Sequence, residues 1–494
     1  MSDPKIVLAF DGGINQSIDT QYLKTNEASE AQNCDLDMGD LSLCKGNSNY
    51  NNAKLGGTGN TIQSIFSYMD VSKSFYGKKG VVIVMDKTSK IYLLNEITGI
   101  FVKILDDSPG TVSDIVDFVN YQTDDNNITI YTNKTDKIKV IENLDVGSGI
   151  YINKVSSLKK DGKSSAASAT NVAPNGNCIE LYKERLWIAG GSLLNTIWFS
   201  TPYDPQDFTM PITEGEANNH GGFIVIPSWD NGKIEGIKGL YDDIVVFKTN
   251  NIFRIYGSDP TNFTVAQIAD NVQGVIVNKT IKSHNTGILF TASDGIYTYD
   301  GVSIKMVSQR VQTLFKTMDK DAILDAVGVI FQNKYILAIR GTGSAYNNIV
   351  IEYDLLNNNF MVKSGFEVTD FLVHDSELLF VNRTNIVQKY NDEDVSTFNG
   401  SSIHAIWVTG DLVFGALDKK KKTESFHFVA KGNGSILITV LTEKKSKSKT
   451  IALTSSFLPY KVKLKNKGKV MNIKFENISG SSFTIKQTEV IYSV

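Results

Sequence analysis

Along most of the chain the apolar residues come in short runs that alternate with polar turns, at the period of strands rather than helices. Residues 288–301 show the unit. Ile288, Leu289 and Phe290 form one run, Ser293-Asp294-Gly295 a turn, and Ile296, Tyr297 and Tyr299 a second strand. Asp-Gly between two β-rich runs predicts a hairpin, with the glycine expected to supply the positive φ of a tight turn. The unit recurs at 81–94, 128–141, 179–188, 244–256, 331–339 with 349–353, and 378–390, seven copies in all. A strand-pair repeat at this period, roughly 40 to 50 residues, predicts four-stranded propeller blades. Each blade is too small to bury both its faces, so neighbouring blades must supply the core for one another.

Other architectures fit less well. A β-sandwich needs about seven to nine strands, far fewer than the pattern contains. A parallel α/β sheet requires a helix after each strand. One amphipathic helix is predicted, from about Ser308 to Met318, with Val311, Leu314, Phe315 and Met318 on one face. The expected fold is therefore all-β: a seven-bladed β-propeller over residues 56–397, preceded by an N-terminal arm (1–55) and followed by a β-sandwich (398–494). The arm has no repeat partner, so it should wrap around the body. It should carry a strand at 6–10 and a polar helical turn at 25–31. Two insertions break the repeat: 156–177, rich in Ser, Ala, Gly and Asn, and 200–233, with four prolines among aromatic residues.

Composition agrees. The 494 residues are 41% hydrophobic with 39 glycines, enough for a sizeable core and many turns. Apolar runs fall far short of the roughly twenty residues a membrane-crossing helix needs. The run at 6–10 is too short for a signal peptide, so completion in the cytoplasm is expected. Cys34 and Cys44 flank Met38-Gly39-Asp40 and could face each other across a hairpin, as a bridge or as two thiols. Three cysteines in a cytoplasmic product favour thiols. The net charge of −3 hides a split: residues 401–494 hold 16 lysines, no arginine and six carboxylates, for +10, which leaves −13 on residues 1–400. Two electrostatically different domains follow, not a general nucleic-acid binder.

Chemistry is sparse. The five histidines (His220, His284, His374, His404, His427) make no zinc-binding pair, and no nucleophile elbow, phosphate loop or dinucleotide fingerprint is present. Thr291-Ala292-Ser293-Asp294-Gly295 approaches a sialidase box but lacks its spacer and tryptophan, and five arginines are few for a carboxylate-binding cluster. Asp35, Asp37 and Asp40 have calcium-like spacing, yet Gly39 stands where an EF-hand loop needs a ligand. No catalytic, metal or cofactor residue is assigned. Two candidate interfaces remain. Tyr203, Phe208 and Trp229 could anchor a partner or simply pack their own loop. Lys419, Lys420, Lys421 and Lys422 could touch DNA phosphate, a wall polymer or an acidic subunit, or form a solvated loop.

The arm carries a family resemblance. Phe10-Asp11-Gly12-Gly13-Ile14-Asn15, then residues 26–33 ending Ala31-Gln32-Asn33, then Gly39-Asp40-Leu41 and Lys45-Gly46, resemble the opening of many tailed-bacteriophage structural proteins. Residues 474–485 are similar to their closing strands. Several of these proteins, including nozzle and tail-tubular proteins of short-tailed phages, continue into a β-propeller with an attached sandwich. Cys44-Lys45-Gly46 departs from the Arg-Pro-Gly that often ends the arm hairpin. The resemblance implies a non-enzymatic virion component of the tail, neck or baseplate, assembled in the host bacterial cytoplasm. Its partners would be portal, adaptor, tail or fibre subunits, in a homo-oligomeric ring around the DNA path. An acidic body would let DNA slide without sticking. Sequence-specific nucleic-acid binding and a membrane span are not expected. The alternative is a carbohydrate- or receptor-binding propeller; a hydrolase would require a cleft with two facing carboxylates.

Overall fold

The computed structural model describes residues 4–56, 61–88, 90–106, 117–122, 127–132, 138–142, 144, 154–157, 175–208, 220–227, 232–270, 274–318, 321–415, 418–478 and 480–494. The described residues are nearly all-β, with little helix. Six antiparallel four-stranded sheets follow one another from Ile62 to Val368, and a seventh contains Asp370–His374, Glu377–Val381 and Val387–Asp392. The first strands of successive sheets adjoin in a closed circle, with Asp370–His374 returning to Ile62–Met69, so the sheets are the seven blades of a propeller. Apolar clusters fill the seams between blades. Val82, Val84, Leu379 and Val381 join the first blade to the last, and Ile128, Ile130, Ile188 and Phe208 join the second to the third.

Blade 7 takes its fourth strand from the arm. Gly46–Asn49 pairs antiparallel with Val387–Asp392, so that Lys389 faces Ser48 and Gln388 faces Asn49. Such closure removes the open edges that a ring of blades would otherwise leave at its seam.

The sandwich is organised on one strand of 22 residues, Lys421–Thr442. Its first half pairs with Leu458–Lys463 and Ser482–Ser493 in one sheet, and its second half pairs with Ser446–Leu453 and Met471–Asn477 in the other. The bend lies at Gly432-Asn433-Gly434. Gly434 has φ +115°, and a Cβ there would meet the Ser481 hydroxyl at 2.1 Å. A strand that changes sheets in this way forms a corner of the sandwich.

The arm staples propeller to sandwich. Lys5–Leu8 and Leu41–Leu43 lie along the free edge of Ser482–Ser493, while Glu27–Gln32 pairs with Ile406–Thr409 in the opposite sheet. The helical turn expected at 25–31 is thus a strand. Ala and Glu are good helix formers, but propensity yields to tertiary context, and burial of Glu27, Ala28 and Ala31 against both modules outweighs it. Phe10 meets Trp407 and Phe475 edge-on at 5.6 and 5.8 Å, and Val311 and Phe315 belong to the same apolar cluster. The predicted helix is present in shortened form, a 3-10 turn at Ser308–Val311 running into Gln312–Thr317. Arg310 binds the arm from it, donating to the Gly12 carbonyl at 3.0 Å and pairing with Glu27 at 3.4 Å.

Six of the seven repeat units are strands two and three of a blade. The unit at 179–188 falls instead on strands one and two of blade 3, which Thr196–Phe199 then continues. In the 288–301 hairpin, Ala292 pairs with Gly295, and none of Ser293, Asp294 and Gly295 has positive φ. Gly295 is required for a different reason: a Cβ there would lie 2.5 Å from Ser308 Oγ, which accepts from the buried Ile296 amide. All three cysteines are buried thiols, and burial pushes the pKa of Cys34 and Cys44 upward.

Candidate functional site

The first strands of the blades surround the propeller axis, and the axis is plugged. A cavity of about 70 Å³ remains, lined by three carboxylates (Asp117, Glu180, Asp370) and three ammonium groups (Lys238, Lys279, Lys282). Lys238 binds Glu180 at 2.6 Å and Lys279 binds Asp370 at 3.4 Å. Each carboxylate also accepts a backbone N–H from the next blade. Asp117 takes that of Ile179 at 3.0 Å, Glu180 that of Gly239 at 3.2 Å, and Asp370 that of Ile65 at 3.3 Å. Inner strands that no blade neighbour pairs by backbone are thus satisfied by side chains. Burial raises the Asp117 pKa against the Ile179 hydrogen bond. It also opposes the charge on Lys238, but Glu180 outweighs it and the Lys238 pKa is raised. Lys282 is lowered, first by burial and then by Lys238.

Above the plug, where the inner strands begin, the axis opens into a mouth of about 790 Å³, within the size range of ligand sites. Its wall combines strand starts with the tips of the second hairpin of blades 1, 4, 6 and 7, which supply Lys87, Thr249, Arg340, Tyr346 and Arg383. Among the described residues the lining holds five basic groups, Lys87, Lys233, Lys279, Arg340 and Arg383, against Glu235 and Asp325. Arg340 is paired with Asp325 and Lys233 with Glu235. Arg383 reaches outward to Glu367 at 2.7 Å, with its guanidinium 4.9 Å from the centre of the Tyr346 ring. Among the described residues, Arg340 Nε and the buried Asn347 Oδ1 find no hydrogen-bond partner, leaving one donor and one acceptor in the wall. The mouth can hold a polar ligand bearing a negative group.

On the far face a polar cluster locks the seam between blades 7 and 1. Lys78 donates to Tyr50 Oη at 2.7 Å, and Tyr50 donates to Glu96 at 2.9 Å. Lys78 pairs with Glu96 at 3.1 Å and Asp375 at 3.4 Å, and His374 Nε2 lies 3.3 Å from Glu96. Burial pushes Tyr50 up to about 12. Burial works against the Glu96 charge, yet the hydrogen bonds from His374 and Lys78 hold its pKa below the usual value.

The residues singled out in the sequence do not form one site. Tyr203 is 69% exposed at a turn. Phe208 is buried between blades 2 and 3, because the chain returns over it at Gly221, so it is core and not an interface anchor. Trp229 lies outside the described residues. Lys419 and Lys420 are exposed, but Lys421 is buried with its ammonium on the Lys469 carbonyl at 3.0 Å, and Lys422 pairs with Glu424 at 2.9 Å. Lys421 and Lys422 begin the long strand instead of continuing a loop. Sequence reading missed the mouth. Its one signal was a basic or aromatic residue at the tip of the same hairpin in several blades.

No family model matches the chain, and no curated protein matches it. Among solved structures it is similar to the computationally designed Ika8 protein, at 14% identity and TM-score 0.38 over 69% of this chain and 98% of that one. It is also similar to Raptor from Chaetomium thermophilum, at 12% identity and TM-score 0.44 over 71% of this chain and 29% of that one. YCF48 from Cyanidioschyzon merolae gives 10% identity and TM-score 0.40 over 71% of this chain and the whole of the other. These likenesses are of fold and extend no further.

Proposed function

We propose that the chain is a non-enzymatic structural component of a tailed-bacteriophage virion, a rigid platform in the tail, neck or baseplate that assembles with neighbouring subunits. One observation carries the reading: the arm residues that resemble phage structural proteins are the joint between the two modules. Phe10 fills the sandwich core, and Gly13, at φ +67°, approaches the Phe360 carbonyl so closely that a Cβ would lie 2.7 Å from it. The Asn33 amide donates to Val362 of blade 6 at 2.8 Å while its side chain donates to His404 at 2.8 Å. Gly46 opens the strand that closes blade 7. A motif spent on joining modules, with no group aimed at a reactive centre, suits a component whose task is to hold shape. In a ring, the propeller would be the platform and the sandwich would meet portal, adaptor, tail or fibre subunits. Mass photometry and cryo-EM of the purified protein test this. A closed ring, or incorporation beside portal and tail proteins, is expected; a monomer that joins no virion component at micromolar concentration would sink it.

The mouth favours a second reading, a carbohydrate- or receptor-binding propeller, through its volume and its exposed Tyr346 ring. A glycan array that retains nothing removes that reading.

A further inference from the structure

From Lys461 to Lys469 the chain alternates without a break. Lys461, Lys463, Lys465, Lys467 and Lys469 are exposed, while Val462, Leu464, Asn466 and Gly468 between them are buried. Every outward position is lysine. The inward residues fix this register. Val462 and Leu464 belong to the sandwich core, and Asn466 donates to the Val440 carbonyl at 2.9 Å. Gly468 is packed so tightly that a Cβ would meet Thr442 at 2.8 Å. A one-residue slip would bury the lysines and expose the core. The row spans two strand segments, one ending at Lys463 and one at Lys467–Gly468, joined by a short link; at about 3.3 Å per residue of extended chain its length is at most about 25 Å.

The row is nearly free of counter-charge. Only Lys465 has an ion-pair partner among the described residues, Glu424 at 3.2 Å, which it shares with Lys422. Glu443 is spent on the Lys469 and Val470 amides at 2.7 and 2.9 Å, and Glu489 on Lys5 at 2.5 Å. Exposed Lys444, Lys445, Lys447 and Lys449 add to the same domain. The strands carrying the row lie along the outer edge of Lys421–Thr442, and lysines on an edge strand do guard against edge-to-edge pairing. A guard needs only one or two charges, not an unmixed series.

We infer that the lysine row at 461–469 is a docking strip for the phosphodiester backbone of duplex nucleic acid. A duplex carries one negative charge about every 1.7 Å of its axis, so a row of this length meets a dense line of phosphates. The row contains neither arginine to fork onto a guanine edge nor an aromatic ring to stack on a base. Contact to phosphate alone positions without reading sequence. The −13 balance of residues 1–400 disfavours binding on the propeller. None of this depends on the virion reading.

Fluorescence anisotropy of the full chain with a random 24-bp DNA duplex, from 50 to 200 mM salt, tests the assignment. Four to five phosphate contacts predict a slope of log K against log salt of about −4, a loss of roughly two orders of magnitude over that range. The variant carrying Lys461→Gln, Lys463→Gln, Lys467→Gln and Lys469→Gln should lose affinity at least about 50-fold at 50 mM salt, with the slope falling to about −1 or less. Thermal melting would show that it is folded. Lys183→Gln with Lys305→Gln, on the propeller surface, should change nothing. Absence of duplex binding by the wild-type chain at 50 mM salt would overturn the proposal and leave the row an edge guard. Equal competition by poly-glutamate of matched charge would overturn the phosphate assignment in favour of an acidic protein surface.

Discussion

The ammonium group of Lys363 lies 2.8 Å from the Glu352 carboxylate, with neither side chain reaching solvent to any useful extent. Asp35 of the arm stands 3.3 Å away, the Asn391 side chain accepts from Lys363 at 2.8 Å, and Tyr390 donates to Glu352 at 2.7 Å. Arm, blade 6 and blade 7 meet at this one cation. Replacing it with an apolar side chain of similar length takes the ammonium away from buried Asp35 and leaves Glu352 with Lys334 as its remaining ion-pair partner among the described residues. Lys363→Met should therefore cost about 3 to 5 kcal/mol. Urea denaturation measures it, and an unchanged midpoint would show that the network contributes nothing.

The two polar clusters give stability a predictable pH dependence. Burial opposes the Glu352 charge, but Lys363 and Lys334 hold its pKa well down, and Glu96 is lowered by His374 and Lys78. A depressed folded pKa contributes stability above the unfolded value, about 4.3, and that stability is lost as pH falls through the folded one. Tyr50 has the opposite sign: its contribution is complete below about 10 and lost as pH rises to its folded value of about 12. Melting temperature should accordingly fall on both flanks. Glu96→Gln should flatten the acid side and Tyr50→Phe the alkaline side; unaltered profiles would refute the assignment.

Closure by the arm can be broken at one glycine. A Cβ on Gly46 would lie 2.2 Å from the Thr397 carbonyl, so Gly46→Val must displace the strand that completes blade 7. Limited proteolysis should then cut the arm between the sandwich and blade 1, at positions that resist the protease in the parent chain.

Asp117 is expected to act through the seam rather than through chemistry. Its carboxylate accepts the Ile179 amide across blades 2 and 3. Asp117→Ala should cost about 1 to 3 kcal/mol and speed hydrogen exchange at Ile179. Exchange that stays slow would mean the amide finds another partner.

The repeat was legible because strands of one blade bury both faces, and so print their period on the chain whatever the loops do. Residues 81–94 and 378–390 needed no more than that. The arm was harder to read. Glu27, Ala28 and Ala31 look helical in isolation, and the strand they form depends on Ile406–Thr409, almost four hundred residues away. Local pattern cannot show such a pairing. For Phe208 the sequence left partner anchor and packing residue both open, and it packs, because Gly221 lets the chain fold back over the ring. Lys421 looked like one of four surface cations until alternation along the strand turned it inward. The mouth was illegible because its groups come from turns scattered over the whole propeller, each unremarkable alone.

The strand at Gly46–Asn49 finds its partner at Val387–Asp392, and Lys5–Leu8 finds its own near residue 490. A ribosome adds about 5 to 20 residues per second. Gly13–Ile14 and Cys34–Asp35 find partners inside the arm, but Lys5–Leu8 and Gly46–Asn49 emerge and wait, for tens of seconds, until theirs are made. Throughout that interval the edges of these two strands are open to other chains, until Val387–Asp392 and Ser482–Ser493 are made. Losses to aggregation should therefore grow with the time those edges stay unpaired.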